Sequence, residues 1–172
     1  MMKVIIPIIF LLVVCGPDIA SLERLSVIGY RSSVNVLDRT AFYKALESNN
    51  KELVNAQLKE LNTAPSDVRD AFTGAMIMKK AGLGGSPASK LRLFREGHKM
   101  LEAAIKNDPK NAEFRLLRLM IQENSPNFLG YKNEVEEDSE YIRKSYKALP
   151  DEVQRAIADY NKKSRFLKLE VP

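Results

Sequence analysis

Three prolines punctuate this chain at a near-regular interval. Pro65, Pro109 and Pro150 stand 44 and 41 positions apart, and each separates one apolar helical run from the next. Their surroundings rhyme: Asn62-Thr63-Ala64-Pro65-Ser66-Asp67-Val68, Asn107-Asp108-Pro109-Lys110-Asn111-Ala112-Glu113 and Ala148-Leu149-Pro150-Asp151-Glu152-Val153. Proline lacks a backbone N–H and blocks a continuing helix, yet its fixed φ suits the first turn of a new one. Self-similarity over tens of residues marks stacked helical hairpins, in which one unit cannot bury its apolar face alone. The pattern predicts an all-α chain of about seven helices.

The runs between these joints carry their own start and stop signals. Asp38 caps a short helix through Leu46, and Asn49-Asn50 opens a second from Lys51 to Leu61. A third starts at Pro65-Ser66-Asp67 and reaches Lys80, before Gly82, Gly84 and Gly85. That glycine cluster follows a helix and lacks a Lys-Ser ending, so it is a stop signal and not a phosphate loop. Ser86-Pro87 starts the longest helix, which ends at Asp108-Pro109. One stripe on it holds Leu91, Phe94, His98, Leu101 and Ile105; another holds Leu93, Gly97, Met100 and Ala104. Two stripes predict packing on two sides. Gly97 sacrifices about 1 kcal/mol of helix propensity relative to alanine, so a neighbouring helix is expected to approach closely there. Helices over Ala112–Gln122 and Asn133–Lys147 follow, then a capping helix from Pro150 using Val153, Ile157 and Tyr160. Lys162, Lys163, Arg165 and Lys168 are expected to form a basic tail.

The first residues read as an export segment. Met1-Met2-Lys3 is a positive start, and Val4–Val14 is apolar apart from Pro7. A helix crossing a bilayer needs about 20 residues, so this run matches the core of a secretory signal instead. Leu12-Val13-Val14-Cys15 resembles the lipobox of bacterial lipoproteins, which implies lipidation at Cys15 and membrane association. Cleavage after Ala20 as an ordinary signal is the other reading. The expected layout is a signal over 1–20 and a helical-repeat domain over 21–172, with a lead-in to about residue 37. Cys15 is the sole cysteine, which excludes a disulfide within the mature domain, a thiolate zinc site and a cysteine nucleophile there. The expected location is the periplasm or cell envelope of a bacterium.

From Phe94 to Glu113 the chain resembles the second helix and exit turn of a tetratricopeptide repeat. Gly97, Leu101, Ala104, Ile105, Asp108, Pro109, Asn111, Ala112 and Glu113 carry the likeness. Ala112–Tyr131 is also similar to exported bacterial proteins. The resemblance implies a stack of antiparallel hairpins whose first helices line a concave face. That face would present Arg69, Thr73 and Lys80, then Arg115, Arg118 and Gln122, then Arg155, Asp159 and Lys162. Guanidinium forks at helical spacing suit a carboxylate, so a protein or acidic peptide is the expected partner. The apolar loop Asn127-Phe128-Leu129-Gly130-Tyr131 has two readings: a plug folded on the core, or a contact knob built from Phe128, Leu129 and Tyr131.

Other chemistry is thin. His98, the only histidine, sits on an apolar stripe and reads as a packing residue. The acids Glu134, Glu136, Glu137, Asp138 and Glu140 lie at a helix start, where negative charge meets the helix dipole. Lysines and arginines interleave with acids around a net charge of +5, which is unlike a nucleic-acid arm. No catalytic, metal or cofactor constellation is expected. The function expected is a non-enzymatic binding or scaffold protein. The alternative is a structural envelope lipoprotein with a basic surface near the membrane.

Overall fold

The computed structural model describes residues 37–170. The expected signal, Cys15 and most of the lead-in lie outside the described residues. Within them are seven α-helices, two short 3-10 turns and no strand. The helices are α1 (Arg39–Glu47), α2 (Lys51–Leu61), α3 (Ser66–Gly82), α4 (Pro87–Asn107), α5 (Ala112–Asn124), α6 (Val135–Ser145) and α7 (Asp151–Asn161). The 3-10 turns are Asn127–Leu129 and Tyr146–Ala148.

Capping explains most of the starts. The side chains of Asp38, Asn50, Ser86 and Asn111 each accept a backbone N–H from the first turn of the helix they precede. Pro65 and Pro150 cap nothing with a side chain; their carbonyls take the first helical bonds, from Arg69 N and Gln154 N. The proline joints therefore act as the period predicts. Each stops one helix and leaves the next free to leave at a new angle.

α3 and α4 form an antiparallel hairpin whose backbones touch. A Cβ on Gly74 would come within 2.6 Å of the Gly97 carbonyl oxygen and 2.8 Å of Leu101 N. The close approach expected at Gly97 is present, and Gly74 supplies the matching gap. α4 departs from expectation on the stripe of Leu91, Phe94, His98, Leu101 and Ile105, which is buried only from Leu101 onward. Leu91 remains 38 % exposed, while Phe94 and His98 are half-buried.

The alternate helices meet in sequence, α1 on α3, α3 on α5 and α5 on α7, and then α7 returns to α1. The row that an open stack would lay along its concave side thus closes on itself. α5 sits inside it: Phe114, Leu116, Leu117, Leu119, Met120 and Ile121 are all buried. Burial of side chains this size supplies about 1.5–3 kcal/mol each, so α5 is the energetic centre of the domain.

The C-terminal segment is not a solvated basic tail. Leu167 is 0 % exposed and joins the core. Asn161 brackets Leu169, donating from Nδ2 to its carbonyl and accepting its N–H at Oδ1, both at 2.8 Å. Arg143 donates to the carbonyls of Phe166 and Leu167. Lys162 is paired with Asp159 and Lys163 with Glu47, so two of the expected free cations are engaged. Buried Leu167 and these hydrogen bonds together hold the segment against the core.

Candidate functional site

The fold brings Arg115, Arg118 and Gln122 together on one face of α5, as their spacing requires, but that face is covered by α6. Arg118 donates from Nε to Asp138 Oδ2 at 2.7 Å and from Nη2 to Oδ1 at 2.8 Å, a two-pronged bond between buried groups. Its Nη1 reaches Glu102 Oε2 on α4 at 2.9 Å. Arg115 donates to Asp138 Oδ1 and Glu137 Oε1, each at 2.9 Å, and lies over the Tyr141 ring at 4.5 Å. Gln122 donates from Nε2 to Glu134 at 2.7 Å, while its buried Oε1 has no partner among the described residues. Burial works against the charge of Arg118, yet its bonds to Asp138 and the attraction of Glu102 hold its pKa above the usual range. The guanidinium forks are already filled by carboxylates of this same chain.

The remaining groove residues disperse. Arg69 is half-buried and turns back to the carbonyl of Ala64, donating from Nε at 3.0 Å, so it braces the α2–α3 joint. Thr73 is half-buried one turn further along α3, and Arg155 is exposed on α7. The expected groove is therefore corrected: its α5 portion is an internal α4–α5–α6 brace. The acids at the start of α6 serve as its other half, with Asp138 buried and Glu136 and Glu140 exposed.

Three tyrosine–glutamate bonds, which sequence reasoning missed, pin other elements to this frame. Tyr43 donates to Glu113 at 3.1 Å, Tyr131 to Glu102 at 2.5 Å and Tyr160 to Glu123 at 2.7 Å. Glu113 also accepts two bonds from Arg39, at 2.8 and 3.0 Å. Burial, together with the adjacent carboxylate, pushes each of these phenols above the usual tyrosine range. The sign follows from linkage: a raised folded pKa gives stability that is intact below about pH 10 and is lost as pH climbs beyond it. In an alkaline titration, phenolate absorbance from these three should lag and then rise together with loss of helical circular dichroism. The combined Tyr43→Phe, Tyr131→Phe and Tyr160→Phe chain should lack that late step. Ionisation of all three near pH 10 with helicity intact would contradict their burial.

The 127–131 loop divides between the two expected readings. Gly130, at φ 64°, takes a conformation that side chains disfavour and closes the 3-10 turn onto Asn127. Tyr131 is the plug: its ring meets His98 edge-on at 4.6 Å and Phe94 at 5.7 Å. Phe128, three residues earlier, instead projects from the core and is 86 % exposed. His98 thus packs between rings, stacked also on Phe94. Beside this anchor α4 presents the partly open Leu91 and, one turn apart, the exposed cations Arg95 and Lys99.

The chain matches no protein-family model, no curated protein and no solved structure. The described residues form an all-helical domain, braced internally by ion pairs, from which Phe128 projects into solvent. Among the described residues no helix is long and apolar enough to cross a membrane.

Proposed function

We propose that this chain is a non-enzymatic binding or scaffold protein of a bacterial cell envelope, exported by its first residues and built as a tetratricopeptide-like series of hairpins. The pairs α1–α2, α3–α4 and α5–α6, with alternate helices in contact, support that architectural reading. The contact surface we assign is the Phe128 loop with the adjoining face of α4, in place of the α5 arginines. One observation carries this: Phe128 is almost wholly exposed although its neighbour Tyr131 is fixed by a ring cluster and a bond to Glu102. Exposing a phenylalanine forfeits about 1.5–3 kcal/mol of burial, which a partner's apolar surface would recover. Arg95 and Lys99, exposed on α4 next in sequence to the Phe94 and His98 that hold Tyr131, suit an acidic segment of a partner protein, with charge steering the approach.

A photo-crosslinking residue placed at position 128 of the full chain, expressed in its own host, tests the proposal. A discrete crosslinked protein is expected from position 128 and none from position 155. The crosslink should disappear when Arg95 and Lys99 are both changed to Glu. Equal yields from both positions would sink the assignment. The mass of the same purified chain reads its N-terminus. A start at Cys15 with added acyl mass, or loss of about twenty residues, agrees with the export reading. An untrimmed chain contradicts it.

A further inference from the structure

Where α1, α5 and α7 end and α3 nears its end, the chain leaves an open cleft of about 360 Å³. Leu46, Met120 and Ile121 give it an apolar side. Its charged lining is Lys79, Lys163 and Arg165 against Glu47 and Glu123. Both acids are already committed. Glu47 is paired with Lys163, and Glu123 accepts the hydroxyls of Tyr160 and Ser164 and the backbone N–H of Arg165.

The cations are not committed to the same degree. Half-buried Lys79 forms no hydrogen bond or ion pair among the described residues. Among the described residues the Arg165 guanidinium reaches only the Glu123 carbonyl, at 3.5 Å. The rim carbonyls of α5, which would otherwise repel an anion, are bonded by Asn124, Ser125 and Arg165.

We propose that this cleft binds a small amphiphilic carboxylate, its acid group held by Lys79 and Arg165 and its apolar part lying on Leu46, Met120 and Ile121. One negative charge is the right complement, because Glu47 and Glu123 nearby oppose a dianion. A pocket that is part apolar with a few convergent polar groups has the general make-up of a small-molecule site. Burial lowers the pKa of Lys79 and the attraction of Glu47 only partly opposes this, as expected for an ammonium lacking a close counter-ion.

Calorimetric titration of the full chain with octanoate, octanol and inorganic phosphate tests this. Octanoate should bind saturably, with octanol and phosphate each at least tenfold weaker. Lys79→Met should weaken octanoate at least tenfold while melting no lower than the wild type, since it removes an unpaired half-buried charge. Arg165→Gln should weaken it several-fold as an independent check, and Lys106→Met, on the exposed side of α4, should leave it unchanged. Absence of octanoate binding, or equal affinity in Lys79→Met, would overturn the proposal. Phosphate or octanol binding as tightly as octanoate would overturn it too, the first showing a charge-only site and the second a merely apolar one.

Discussion

Asp138→Ala will destabilise the domain by about 3–5 kcal/mol, the usual cost of removing one partner from a buried ion pair. Asp138 is 0 % exposed and accepts three hydrogen bonds, two from Arg118 and one from Arg115. Its removal leaves the Arg118 guanidinium buried with only Glu102 in reach, 2.9 Å away and on a different helix. A domain of this size is stable by about 5–15 kcal/mol, so the loss is a large share of the total. The cost belongs to the orphaned charge more than to the bond itself. Replacing both partners, Arg118→Met with Asp138→Leu, should therefore recover most of it. Equilibrium urea denaturation of the three chains measures the difference. A loss below about 1 kcal/mol for Asp138→Ala would mean the pair is solvated and the brace is unimportant. Reversing charge at Arg115 and Arg118 should likewise destabilise the domain, because both guanidinium groups bond to Asp138.

The helix boundaries were legible because their causes are local. A proline, a capping asparagine or a terminal glycine acts within one turn, and so Asn50 and Ser86 announce α2 and α4 from sequence alone. Gly97 was legible for a related reason: a glycine inside a long helix needs a compensating neighbour. The role of Arg118 was not. Helical spacing places it beside Arg115 and Gln122, but whether that face meets water or α6 depends on how α5 is rotated within the closed row of alternate helices. Closure itself depends on α7 meeting α1 across more than a hundred residues, and no local pattern encodes that contact. The Tyr–Glu bonds fail to show for the same reason, joining residues 29 to 70 positions apart. Leu167 lies in the short run Arg165-Phe166-Leu167-Lys168-Leu169, too brief for a periodicity that would reveal it as core.

Gly97→Ala should lower stability by about 2–3 kcal/mol, although alanine in an open helix would raise it by about 1 kcal/mol. The new Cβ would lie 2.8 Å from Met78 Cγ and 2.9 Å from Met78 N, and closer still to the Gly74 carbonyl oxygen. A methionine side chain can swing away, but two backbone atoms of α3 cannot move without the helix. α3 and α4 must then separate, loosening the packing around Leu101, Met76 and Phe72 that their contact supports. Gly82→Ala is the control, because nothing lies within 4 Å of a Cβ built there. It should stabilise by up to about 1 kcal/mol, since only the unfolded chain loses freedom. Gly74→Ala meets the mirror-image clash and should cost a similar amount. The Gly74→Ala, Gly97→Ala double variant then discriminates between mechanisms. If the penalty is separation of one helix pair, the second substitution costs less than the first and the double falls short of additivity. Full additivity would mean that each glycine acts alone and that the two backbones do not share a single contact.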